Sequence, residues 1–138
     1  MKFELLLKEL KSLNLPTDQF AVMSSGVLAV RGLREARDLD LVVTRRLWVV
    51  LSSKYPVEKH DKGYFISLDK NIEAVGGRVE SQEKDFIQME VQIKKADIID
   101  GVRYVKLEDV IKFKKRLGRK KDIKDIALID KYLKRRKK

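Results

Sequence analysis

Met23-Ser24-Ser25-Gly26 is followed, ten residues later, by Arg37-Asp38-Leu39-Asp40-Leu41-Val42-Val43. The second segment has the composition of a β-strand, with apolar β-formers and two aspartates at alternate positions. In a strand, residues i and i+2 face the same side. Asp38 and Asp40 therefore project together, about 6.5–7 Å apart along the backbone. Leu39, Leu41 and Val43 face the other way, toward a core. The first segment reads as a turn. Ala21-Val22-Met23 ends a buried strand, and Val27-Leu28-Ala29-Val30 belongs to a short helix. A Ser/Gly turn between strand and helix gathers free backbone N–H groups, which suits an anion.

Two carboxylates side by side repel one another unless a cation lies between them. A pair of magnesium ions about 3.5–4 Å apart fits such a site. Phosphates on the turn and metal-binding aspartates on the next strand suit a nucleoside triphosphate.

This pattern resembles the signature of the nucleotidyltransferase superfamily typified by DNA polymerase beta. That signature runs apolar residue, Gly, Gly or Ser, a spacer near ten residues, then Asp, apolar, Asp or Glu, apolar. Ser24-Ser25 stands for the Gly-Ser pair, and Asp38-Leu39-Asp40-Leu41 for the acidic strand. The first position departs from the signature: it is Ser24, with the glycine displaced to Gly26. A side chain there restricts the approach of backbone to phosphate.

The resemblance implies a small mixed β-sheet with packed helices, in one α/β domain over residues 1–133. It implies transfer of a nucleoside monophosphate from a triphosphate to a hydroxyl of RNA or protein. Two Mg2+ ions, or Mn2+, would be held by Asp38 and Asp40. Ser24, Ser25 and Gly26 would contact phosphate. The superfamily usually adds a third carboxylate on a later strand, and Glu73 in Asn71-Ile72-Glu73-Ala74 is the best match. By that resemblance Glu73 is a general base or a metal ligand. Lys121, in the run Lys120-Lys121-Asp122, matches a basic C-terminal feature of small members and would point toward the triphosphate. Small stand-alone members include antitoxin-like proteins. The rival expectation is therefore a module that keeps the fold, has lost activity, and binds nucleic acid or a partner protein.

Composition bounds these readings. A chain of 138 residues with 43% hydrophobic content suits one domain with a sizeable core. No run of 18 apolar residues suggests a membrane span. The first residues enter an amphipathic pattern rather than a signal peptide, so a cytoplasmic protein is expected. There is no cysteine and one histidine, His60, which leaves oxygen ligands as the expected metal donors. The net charge of +11 implies a polyanionic partner or a strongly solvated surface.

Along the chain, Phe3, Leu6, Leu7, Leu10 and Leu13 recur at helical steps, predicting a helix over 2–14. A strand is expected at 19–23, and a short helix at 25–33. Arg31, Arg34 and Arg37 follow at three-residue intervals, either as a solvated face with Glu35 as counter-charge or as triphosphate contacts. Arg34 is the candidate, because it falls in the loop before the acidic strand. Thr44 is an expected N-cap for a helix over 45–54, with Trp48 as a core anchor. Strands are expected at 57–60, 64–68 and 70–75. Residues 80–92 are ambiguous between helix and strand. Asp100-Gly101 is the sharpest hairpin signal. A helix from Lys106 ends at Gly118, and a second follows. Asp122 and Asp125 favour its positive N-terminus, and the basic run 134–138 is expected to fray.

Overall fold

The computed structural model describes residues 2–136. Seven strands form one mixed sheet in the order β3-β4-β5-β2-β1-β7-β6. They are β1 (Phe20–Met23), β2 (Leu39–Val43), β3 (Glu58–His60), β4 (Gly63–Asp69), β5 (Ile72–Val75), β6 (Asp97–Ile99) and β7 (Val102–Tyr104). Among the described residues six α-helices accompany it, α1 (Lys2–Ser12), α2 (Ser25–Ala29), α3 (Arg45–Ser52), α4 (Gln82–Lys94), α5 (Leu107–Leu117) and α6 (Lys120–Arg136), with one 3-10 turn at Val79–Ser81. This is a small single-domain α/β fold, and among the described residues no helix is long and apolar enough to cross a membrane.

The sheet is centred on β2. It pairs antiparallel with β1 and parallel with β5. Leu39, Leu41 and Val43 are fully buried, as their parity predicts. Val42, of the opposite parity, is also buried, so β2 is covered on both faces and Asp40 is drawn away from water. Parallel pairing of β7 with β1 is fixed at Val22 opposite Tyr104. The Asp100-Gly101 turn has φ of 55° and 79°, the left-handed pair that a two-residue hairpin needs.

Several boundaries differ from the sequence reading. The ambiguous segment is helical: Phe86, Met89 and Ile93 are buried in α4, whereas Val91 is exposed. A strand would have buried Val91 with Met89 and Ile93, since all three share parity. The helix expected over 25–33 stops at Ala29, and Gly32 turns the chain with φ 72°. Asp38 precedes β2 rather than lying within it. The basic run does not fray at its start. Lys134, Arg135 and Arg136 continue α6, where cations face the negative helix end, and Arg136 donates to the Tyr132 hydroxyl at 2.9 Å. The remainder of that run, Lys137 and Lys138, lies outside the described residues. Trp48 is a core residue, 6% exposed, packed against Phe86 with ring centroids 6.0 Å apart. Thr44 caps α3 by accepting from the Leu47 N–H at 3.1 Å.

Candidate functional site

The register of the central strands sets the site. Asp40 is opposite Glu73 across the parallel β2–β5 pair, and opposite Met23 across the antiparallel β1–β2 pair. Directly paired residues project from the same face of a sheet, with neighbouring strands about 4.8 Å apart. Asp40 and Glu73 thus stand side by side, and Ser24 follows Met23 at the strand end beside them. Ser24, Asp40 and Glu73 all line one cleft of about 450 Å³. Its floor is the sheet, through Met23, Val42, Phe65 and Val75. One wall is α4, through Gln88, Met89 and Gln92, and another is the α5–α6 turn, through Phe113, Arg116, Leu117 and Arg119.

Like charges are left uncompensated here. Burial, then repulsion from Asp38 and Glu73, pushes the Asp40 carboxyl up to about 6. Lys114 and Lys121 oppose this only in part. Glu73 is also raised, first by burial, then by Glu58, with His60 opposing and Asp38 adding a smaller push. Asp38 itself is exposed just upstream of β2, outside the cleft lining but within electrostatic reach of both carboxylates. A strongly raised carboxyl facing a cleft is the kind of perturbation that functional sites show.

The turn before α2 is strained. Ser24 has φ 60° and ψ −128°, a region that glycine enters freely and side chains avoid. The backbone at this point has the shape of a glycine, and a serine occupies it. Gly26 has a different role. A Cβ there would lie 2.4 Å from Val22 Cγ1 and 3.1 Å from Leu39 Cδ2, so the missing side chain lets α2 sit directly on the sheet. Gly26 is buried in that contact, and Ser25 begins α2, half-buried.

Two basic residues singled out in the sequence are placed differently from one another. Lys121 is exposed and within electrostatic range of Asp40. Arg34 does not line the cleft. It donates from Nε and Nη2 to the two oxygens of Asp125, at 2.8 and 3.0 Å. Asp122 and Asp125 do more than favour a helix end: both are buried around the Lys114 ammonium. Lys114 is 4% exposed and sits 2.9 Å from Asp125 and 3.6 Å from Asp122. Arg119 completes the group with a 2.7 Å bond to Asp122. Lys114 escaped the sequence reading, although Leu107, Val110, Ile111 and Lys114 follow one helical stripe, which places the lysine on the buried face.

Carboxylate chemistry fits a hard divalent cation. Among the described residues, no group of three or more His, Cys, Asp or Glu side chains is gathered to hold a metal ion. Magnesium is often bound by one or two carboxylates, with water and substrate phosphates filling the other positions. The Asp40–Glu73 pair with Asp38 nearby matches that partial donor set, not an all-protein cage.

Compared with known proteins, the chain matches no family model, no curated protein and no solved structure.

Proposed function

We propose that this chain is a nucleotidyltransferase-fold protein that transfers a nucleoside monophosphate from a nucleoside triphosphate to a hydroxyl acceptor. The observation that carries this reading is the register pairing of Asp40 with Glu73 at a cleft that Ser24 also lines. Such a site has a use for each residue. Asp38 and Asp40 would hold divalent magnesium or manganese, with Glu73 as a third ligand or as the base for the acceptor proton. Bound ions would lower the pKa of the attacking hydroxyl and offset charge developing on phosphate oxygens. Ser24 and Ser25 would supply donors to phosphate oxygens, and Lys121 would add a cation from α6. Burial, then repulsion from Asp38 and Glu73, raises Asp40, and a bound cation would offset both.

A second reading is favoured by Ser24. Its Cβ occupies a glycine-like turn and holds phosphate farther from the backbone, as expected of a module that binds nucleic acid or a partner protein without turnover. Labelled triphosphates, each supplied with Mg2+ or Mn2+ and with RNA or protein acceptors, separate the two. Transfer by the native chain, lost in Asp40→Asn and Glu73→Gln, supports the enzyme. No transfer above those variants with either ion sinks it.

A further inference from the structure

The acidic pair sits in a cleft whose rim is basic. Several cations of the molecule are already spoken for: Arg34 by Asp125, Arg78 by Asp85, Arg119 by Asp122. Two residues lining the cleft are different. Lys62, at the turn between β3 and β4, and Arg116, near the end of α5, line the cleft from different elements. Among the described residues, neither has an ion-pair partner. The Arg116 guanidinium lies over the Phe113 ring, 5.9 Å from its centroid, and Phe113 itself lines the cleft. Lys112, Lys115, Lys120 and Lys124 extend this positive surface around the α5–α6 turn, and all are exposed. The acids of the same turn, Asp122 and Asp125, are buried and neutralised, so they do not offset it.

We propose that this rim is a groove for single-stranded nucleic acid, whose terminal nucleotide enters the cleft. Cations that track a backbone, joined to an aromatic–guanidinium surface on which a base stacks, are what single-strand recognition requires. A duplex keeps its bases stacked inside and cannot present one to a cleft of about 450 Å³. The proposal deepens the transfer reading by naming its acceptor. The binding itself does not depend on turnover. RNA and DNA share the recognised chemistry, so both are assayed.

The test is anisotropy of end-labelled 12-nucleotide RNA, 12-nucleotide DNA and the matching duplex, titrated at several salt concentrations without triphosphate. Native protein is compared with Lys62→Ser/Arg116→Ser. A charge-matched control, Lys8→Ser/Lys11→Ser, removes two exposed lysines of α1 that do not line the cleft. Single strands should bind more tightly than duplex, and tighter RNA or tighter DNA identifies the source. The cleft variant should lose at least about tenfold in single-strand affinity. Its slope of log affinity against log salt should flatten by about 1.4, about 0.7 for each phosphate that is no longer neutralised. The α1 control should lose much less. Equal loss in the two double variants, or duplex binding as tight as single strand, overturns the proposal. Complete absence of binding overturns it too, leaving a protein acceptor as the alternative. Single-strand binding that depends on Lys62 and Arg116, in a chain that transfers no label, keeps the groove and removes the enzyme.

Discussion

Asp40 and Glu73 stand side by side on β2 and β5, with Asp38 just upstream; Asp122 and Asp125 stand one turn apart on α6. Both groups bring carboxylates together: Asp122 and Asp125 are buried, Asp40 and Glu73 half-buried, and Asp38 exposed. Around Asp122 and Asp125 the chain supplies Lys114, Arg34 and Arg119 at bonding distance. Asp122 is held down to about 2, chiefly by its hydrogen bond from Arg119. For Asp125, burial pushes upward, but bonds from Arg34 and Lys114 outweigh it and hold the carboxyl below its usual range. Around Asp40 the nearest help comes from Lys114 and Lys121 at longer range, and the carboxyl rises to about 6. The same residue type is pushed in opposite directions by its neighbours in the two places. A compensated cluster holds helices together; a poorly compensated one costs stability and is the kind of perturbation that functional sites show.

The widest test of this contrast is functional. If transfer occurs, Glu73→Gln should lower turnover by roughly 10²–10⁴-fold while triphosphate binding changes little, because the missing carboxylate acts in the transition state. Single-turnover rates and calorimetry read the two quantities separately. An unchanged rate would move the third-carboxylate role away from Glu73, with Glu58 and Asp69 next to examine.

On the compensated side, Lys114→Met should destabilise the fold by about 3–5 kcal/mol, because it strands two buried carboxylates. Arg34 and Arg119 keep part of the compensation, so the lower figure is expected. Urea unfolding at pH 7 measures it. A neutral result would mean that the arginines suffice and that the lysine is not the tie between α5 and α6.

Asp40→Asn should act in the opposite sense and stabilise the metal-free protein. A carboxyl raised from 3.8 to about 6 in the fold binds its proton more tightly when folded. The stabilisation linked to that proton is complete below about pH 4 and is lost as pH rises through 6. At pH 8 the native chain therefore carries the full electrostatic penalty, and the variant should gain about 1–3 kcal/mol, each unit being worth about 1.4 kcal/mol. At pH 4 the gain should disappear. Unfolding in EDTA at both pH values gives the difference; a gain independent of pH would assign it to packing instead. The Asp122 cluster has the reverse sign, since its contribution is present above the ordinary carboxylate range and fades as pH falls toward 2.

The smallest effect concerns the turn beside the acidic pair. Ser24→Gly relieves a positive-φ strain of about 1–3 kcal/mol, offset by about 1 kcal/mol of extra unfolded-state entropy. A net gain of about 1 kcal/mol is expected in thermal unfolding. If the transfer reading holds, tighter Mg2+–triphosphate binding should accompany it, since the restored glycine lets phosphate approach the backbone.

Periodicity and turn chemistry were enough to read most elements of this fold. The stripe of α1, the Thr44 cap, the Asp100-Gly101 hairpin and the Gly118 end of α5 are local facts of a few neighbouring residues. The inward parity of Leu39, Leu41 and Val43 was legible for the same reason, whereas the shared strand face expected of Asp38 and Asp40 was not met, because β2 begins at Leu39 and leaves Asp38 exposed ahead of it. The chain's strongly basic charge was legible as well. Tertiary structure decided what depends on partners far along the chain. Glu73 became the neighbour of Asp40 through the register of β5 on β2, which no local propensity specifies. Residues 82–94 became helical because one helical face could bury Phe86, Met89 and Ile93 and leave Val91 in water. Arg34 went to Asp125, 91 residues away, and Lys114 was enclosed by α6. A charged side chain's role follows from what compensates it, and that is settled only when distant segments are packed together.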